Sequence, residues 1–233
     1  VAETCIVIPT YNNARTLAEV VRGAAVHGRP IIVVIDGATD DTRGVLAEFP
    51  GIDVIDFAVN RGKGFALQAG FRAAAGRGWA RAVTIDSDLQ HDPAEIPKFL
   101  AAAASEPRAL VVGVRDMKAA GAPRANRAGF ALSNLYLRLL SGARVCDSQS
   151  GFRSYPVAEV LDLACAPSRF EYEFVVLAAA ARRGIPIVEV PIAVRYDPAI
   201  YVTHFRKYRD FMRIFRAGLA LRRESGPRAC GGG

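Results

Sequence analysis

Short runs of uninterrupted apolar residues alternate, through the first half of the chain, with stretches of helical periodicity. Strands are expected at 5–8, 31–35, 52–56, 82–85 and 109–114. Pro9, directly after Cys5-Ile6-Val7-Ile8, is expected to stop the first strand and force an extended turn. Between the strands, apolar positions recur at three- and four-residue spacing. The segment 14–27 gathers Leu17, Val20, Val21 and Ala24 on one face. A helix carrying Val45 and Leu46 is expected behind a cap at Thr39 or Asp40, with further helices at 64–76 and 93–103. Strands that are apolar on both faces and alternate with helices imply a parallel sheet covered on both sides. The fold class is therefore α/β, a mostly parallel Rossmann-like sheet with helices on both faces, in a single domain.

The second half changes character. A long helix is expected over 126–140, a short strand at 152–155, and a helix over 172–183 closed by Gly184. The run 187–194 is strand-like, and Pro191 assigns it to an edge. The segment 205–222 is amphipathic, with Phe211, Ile214, Phe215 and Leu219 ringed by Arg206, Lys207, Arg209, Arg213 and Arg216. Such a helix suits an anionic membrane surface, or a core with a solvated basic face.

Composition narrows the classes. The 233 residues are 51% hydrophobic, so a large core is affordable and disorder is excluded. The net charge of +7 is almost all arginine, because lysine occurs only at 63, 98, 118 and 207. Arginine suits bidentate recognition of phosphate or carboxylate. No nucleic-acid-binding module accompanies it, so no nucleic-acid partner is expected. The four cysteines form no Cys-x-x-Cys pair, which argues against structural zinc and fits a reducing compartment. No apolar stretch reaches ~18 residues. The expectation is a cytoplasmic chain, peripheral on the membrane at most.

Candidate chemistry concentrates where the apolar runs end. Asp86-Ser87-Asp88-Leu89-Gln90-His91 follows the run 82–85, and ligands of open α/β sheets bind at the carboxyl ends of strands. Asp-x-Asp suits a hard divalent cation that keeps positions open for phosphate oxygens, although the same pattern also makes solvated turns. Asp86, Asp88 and Gln90 alternate, so in extended backbone all three project to one side. Asp36 ends the second apolar run. Gly62-Lys63-Gly64 opens a helix, where bare amides and the helix dipole attract phosphate.

Five ordered segments together resemble family 2 glycosyltransferases. They are Val7-Ile8-Pro9-Thr10-Tyr11-Asn12-Asn13, Val33-Val34-Ile35-Asp36-Gly37-Ala38-Thr39-Asp40-Asp41-Thr42, Asn60-Arg61-Gly62-Lys63-Gly64-Phe65-Ala66, Asp86-Ser87-Asp88-Leu89-Gln90-His91 and Asp147-Ser148-Gln149-Ser150-Gly151-Phe152-Arg153. The last two are similar to the dolichyl-phosphate mannosyltransferase-like, polyprenyl-phosphate branch. The resemblance runs from about residue 4 to 215. It implies a GT-A domain at 1–215, with a nucleotide-sugar half at about 1–115, an acceptor half at about 116–215, and a helix end and tail at 216–233.

The resemblance also implies roles. The donor is a nucleoside-diphosphate sugar, GDP-mannose or a UDP-sugar, contacted by Pro9, Tyr11, Asn12, Asp36, Lys63, Asp86 and Ser87. Mg²⁺ or Mn²⁺ is held by Asp86, Asp88 and Gln90, transfer inverts the anomeric centre, and His91 lies behind the ligands or on the surface. The acceptor is a lipid, polyprenyl phosphate, met by Arg115, by Arg127 or its rival Arg124, and by Arg195 and His204. A phosphate monoester arrives ionised and needs no base. A hydroxyl acceptor needs one, and Asp147, Glu171 and Glu173 are the available carboxylates, although Glu171 and Glu173 cannot face the same side of a helix. Asp88, Asp147 and Glu171 are the catalytic candidates. Ile35 and His204 depart from the family pattern. They keep open a soluble transferase acting on a sugar hydroxyl, or an inactive nucleotide-sugar-binding subunit.

Overall fold

The computed structural model describes residues 3–116, 124–165, 169, 171–193 and 215, with the side chains of 124–128 outside the description. Seven strands form one sheet: β1 (Thr4–Thr10), β2 (Ile31–Asp36), β3 (Asp53–Phe57), β4 (Arg81–Thr84), β5 (Leu110–Arg115), β6 (Arg153–Pro156) and β7 (Ile187–Ile192). The helices are α1 (Ala14–Ala25), α2 (Thr42–Ala47), α3 (Lys63–Gly76), α4 (Ile96–Ser105), α5 (Arg124–Ser141), α6 (Val157–Asp162) and α7 (Glu171–Arg182). A 3-10 turn, Pro93–Glu95, leads into α4.

Strand order is β3-β2-β1-β4-β6-β5-β7. Every pairing is parallel except those of β6, which runs antiparallel to β4 and β5. The expected mostly parallel sheet is present, and β7, with its Pro191, lies at an edge. Side chains alternate between two cores. Cys5, Val7, Ile32 and Val34 pack with α3, α6 and α7, while Ile6, Ile8, Ile31, Val33 and Ile35 pack with α1 and α4. This two-residue alternation is why β1 and β2 read as continuous apolar runs: both faces are buried.

Pro9 does not stop β1, which continues to Thr10 with Pro9 opposite Val34 of β2. The reason lies in the neighbouring ladder. Backbone groups of Val7 face β4, since Ile85 donates to the Val7 carbonyl at 3.2 Å. Pro9 faces the same way two residues on, where pairing with β4 has ended at Val7–Thr84. Its missing N–H therefore forfeits no ladder bond.

Asp40 caps two helices. Its Oδ1 accepts from the Thr42 amide at 3.2 Å and the Thr42 hydroxyl at 2.5 Å, and its Oδ2 accepts from the Ala14 amide at 2.9 Å. At the other end of the chain, Gly184 closes α7 as the sequence predicts, with φ of 69°. The Ile185 amide reaches back to the Ala180 carbonyl at 3.0 Å and the Gly184 amide to Ala181 at 3.1 Å, satisfying the last turn.

The reversal of β6 positions the site. Because β6 is antiparallel, its first residue sits beside the last residues of β4, with Arg153 opposite Thr84. The loop 147–152 therefore arrives at the carboxyl edge of the sheet. Thr84 Oγ1 donates to the Gly151 carbonyl at 2.8 Å, and the Gly113 amide donates to Phe152 at 2.9 Å.

Candidate active site at the carboxyl edge of the sheet

Four loops from the first half converge at this edge, and each is tied to the next. After β1, Tyr11 is half-buried, and Asn12 takes up φ of 54° with its Oδ1 accepting the Thr39 amide at 2.8 Å. Asn13 Nδ2 donates to Ser87 Oγ at 2.8 Å, and Thr16 Oγ1 donates to the Ser87 carbonyl at 2.6 Å. Ser87 is buried by these contacts. Asp36, at the end of β2, is also buried, and its two oxygens receive the amides of Arg61 at 2.7 Å and Gly62 at 2.8 Å. It fixes the turn that aims the start of α3 at the edge.

Asp86 and Asp88 follow β4. Leu89 between Asp88 and Gln90 has φ of 60°, a strained conformation for an apolar L-residue, of the kind that functional turns retain. Gln90 folds back on Asp88, its amide donating to Oδ1 at 3.1 Å and its Nε2 to Oδ2 at 2.8 Å. Burial pushes the Asp88 carboxyl up to about 6, and the charge of Asp86 adds to the rise. Burial alone raises Asp86 as well, but the Lys63 ammonium beside it holds that carboxyl below its ordinary value. Lys63 Nζ lies 2.6 Å from Asp86 Oδ1 and 3.1 Å from Glu173 Oε1. Burial weakens its charge, yet the two carboxylates keep its pKa above normal. Glu173, on α7, is almost fully buried and shifted upward by that burial.

Gly151 makes this cluster possible. A Cβ there would stand 2.3 Å from Asp86 Oδ2 and 2.7 Å from Lys63 Nζ. Glu173's partnership with Lys63 and the fit of Gly151 against it were absent from the sequence reading. A signal for Glu173 existed: it stands directly before the unbroken apolar run from Phe174 to Ala181.

On the acceptor half, two candidates pair with each other. Arg115, at the end of β5, grips Asp147 bidentately, Nε to Oδ2 at 2.6 Å and Nη2 to Oδ1 at 2.9 Å. The two side chains retain 9% and 1% exposure, so the pair is shielded from water. Asp147 also accepts the Gln149 amide at 3.1 Å, and the Arg115 guanidinium lies over Phe130 at 4.8 Å. Arg153 is fully buried and donates to the carbonyls of Ser150, Glu173 and Ser148 at 2.7, 2.6 and 2.9 Å. It joins the loop of Asp147 to α7. His91 is buried rather than on the surface. Burial, with Arg115 nearby, lowers its pKa to about 4, and its Nδ1 has no hydrogen-bond partner among the described residues.

Glu171 opens α7, and its Oε2 is buried without a hydrogen bond among the described residues. Two residues apart on a helix are about 200° apart, so Glu171 does not join Glu173 at Lys63. The side chains of Arg124 and Arg127, together with Arg195, His204 and the segment 205–222 apart from Phe215, lie outside the described residues.

Among the described residues no three His, Cys, Asp or Glu side chains form a metal-holding group. The donors present are the carboxylates of Asp86 and Asp88 and the Gln90 side chain. All are oxygen donors once Gln90 turns its amide, and the charge of Asp86 makes ionising Asp88 more costly, a cost that a bound cation would offset. That set fits Mg²⁺ or Mn²⁺, whose other positions go to water or phosphate oxygens.

A parallel sheet carrying an acidic pair on the loop after β4 is the arrangement of GT-A glycosyltransferases. The fold agrees with glucosyl-3-phosphoglycerate synthase from Mycobacterium tuberculosis, solved with Mg²⁺ and UDP, at a TM-score of 0.69, 22% identity, and coverage of 98% of this chain and 81% of that one. The profile of glycosyl transferase family 2 matches residues 5–157, and the chain belongs to that family. It is similar to undecaprenyl-phosphate mannosyltransferase of Micrococcus luteus, 31% identical over 200 residues, covering 80% of this chain and 81% of the relative. It is also similar to polyprenol monophosphomannose synthase of Mycolicibacterium smegmatis, 31% identical over 203 residues, covering 81% and 76%.

Proposed function

We propose that this glycosyltransferase moves a sugar from a nucleoside-diphosphate sugar to a polyprenyl phosphate, with inversion, using Mg²⁺ or Mn²⁺ at Asp86 and Asp88. The observation that carries the acceptor class is the state of the carboxylates. Asp147 is locked to Arg115, and Glu173 is committed to Lys63. A hydroxyl acceptor needs a base to remove its proton, whereas a phosphate monoester attacks already ionised. The names of the two relatives, both polyprenyl-phosphate enzymes, support the same acceptor.

In this reading Asn12, Asn13 and Ser87 hold the donor-side loops in register, and Gln90 orients Asp88 toward the diphosphate. Tyr11 and Asp36 lie toward the nucleoside. The cation, when bound, stabilises charge on the departing nucleoside diphosphate. Arg115, with Arg127, Arg195 and His204, receives the acceptor phosphate. Leu132, Leu135 and Leu139 project from α5 at 51, 51 and 69% exposure, and a peripheral membrane contact would cover them. No described helix is long and apolar enough to cross a membrane.

One observation favours a second reading. Among the described residues Glu171 Oε2 is buried with no hydrogen-bond partner, and a base there would serve a hydroxyl acceptor. Radiolabelled GDP-mannose, UDP-glucose and UDP-N-acetylglucosamine, each incubated with Mn²⁺ and undecaprenyl phosphate in detergent, separate the two. Polyprenyl-phosphate transfer puts label into an organic-phase product released by mild acid. Label confined to water-soluble glycosides refutes it, and no turnover of any donor points to a binding subunit.

A further inference from the structure

We infer that Lys63 is a built-in cation that occupies the Asp86 side of the divalent site in the ligand-free protein, and that Glu173 is the positioning residue that retains it when the divalent ion enters. The inference rests on the reading of Asp86 and Asp88 as the metal ligands. Three carboxylates, Asp86, Asp88 and Glu173, gather around this ammonium, and it stands at 2.6 Å from Asp86 and 3.1 Å from Glu173. An ammonium and a divalent ion cannot both sit against the same oxygen, because their charges repel at contact distance. Lys63 holds Asp86 Oδ1, so a divalent ion that takes this oxygen displaces the ammonium from it.

The surroundings limit where it goes. Lys63 is the first residue of α3 and its side chain keeps 15% exposure. Gly151 closes one side, standing so near Nζ that a single added carbon would fall 2.7 Å from it. Glu173 Oε1 is buried, and its 3.1 Å contact with Lys63 is longer than the 2.6 Å contact of Lys63 with Asp86. It can therefore tighten on the ammonium after one short movement from the present Nζ position. Without Glu173 the displaced ammonium would lose its buried counter-charge, which strongly disfavours displacement. Glu173 is fixed for this task by its place on the buried face of α7 and by Arg153, which holds its carbonyl at 2.6 Å.

Calorimetric titration of Mn²⁺ alone into wild type, Lys63→Met, Glu173→Gln and the double variant tests the exchange without any sugar donor. Lys63→Met should bind Mn²⁺ at least about tenfold more tightly than wild type, and Glu173→Gln about tenfold more weakly. In the Lys63→Met background the Glu173→Gln loss should shrink to below about threefold, because Glu173 acts through Lys63. An equal loss in both backgrounds overturns the role of Glu173. Lys63→Met binding no tighter than a Mn²⁺-binding wild type overturns the inference alone, and absence of Mn²⁺ binding in both refutes the metal-site reading beneath it. The scarcity of lysine provides a measurement free of folding artefacts. In ¹³C-lysine-labelled wild type, the Lys63 Cε resonance should shift on saturation with Mg²⁺, and a resonance that stays in place also overturns the exchange.

Discussion

Replacing Asp147 with Asn separates a structural carboxylate from a catalytic one. The wild-type pair is bidentate at 2.6 and 2.9 Å, and its side chains are 9% and 1% exposed. Asn keeps the shape and one acceptor oxygen but removes the charge. The guanidinium of Arg115 then loses its bidentate carboxylate, and the Gln149 amide loses a charged acceptor. Breaking one partner of a shielded ion pair costs about 3–5 kcal/mol. For a protein of this size that corresponds to a fall in Tm of roughly 6–20 °C. Urea unfolding, followed by circular dichroism and fitted by linear extrapolation, measures the cost directly. The double variant Arg115→Met/Asp147→Leu should be less destabilised than Asp147→Asn, because no charge is left unpaired. Stability within about 1 kcal/mol of wild type, together with turnover reduced by several orders of magnitude, would refute this reasoning and return Asp147 to the role of base.

Three further outcomes follow from the site. Asp88→Ala should reduce turnover by roughly 10²–10⁴-fold and abolish Mn²⁺ binding, and EDTA should silence the wild type to a similar degree; wild-type-like turnover in folded Asp88→Ala removes the metal role. His91 has a folded pKa of about 4, below its unfolded value near 6.5, so the unfolded chain binds the extra proton between these values. Stability should therefore fall as pH drops from 6.5 to 4, by about 3 kcal/mol in total from this group, and His91→Asn should flatten that part of the profile measured in EDTA. Gly151→Ala should destabilise by about 1–3 kcal/mol and weaken Mn²⁺ binding, since the new methyl falls 2.3 Å from Asp86 Oδ2; unchanged melting and binding would show that the loop yields freely.

Much of the architecture was legible because it rests on local period. The apolar runs at 5–8 and 31–35 became β1 and β2, the face Leu17, Val20, Val21 and Ala24 became the buried side of α1, and Gly184 closed α7. Pro9 was misread because a proline's effect on a strand depends on which neighbour its missing N–H faces, and that neighbour, β4, lies some 70 residues on. The chemistry followed the same division. Asp86-Ser87-Asp88-Leu89-Gln90-His91 announced itself, since strand-end acids at alternate positions need only local geometry.

The sequence by itself determined the alternating α/β order, the edge at which the functional loops gather and the family to which the chain belongs. Only the tertiary structure decided which charged groups meet there. Arg115 was expected at the acceptor phosphate and Asp147 was one of three carboxylates available as a base; the fold pairs the two across 32 positions. Lys63, Asp86 and Glu173 come from α3, the loop after β4 and α7, and share one buried ammonium. Periodicity is set by neighbours along the chain, whereas the strength of a charge contact depends on distance and shielding from water. Those are fixed when β6 inserts antiparallel and carries the 147–152 loop to the carboxyl edge.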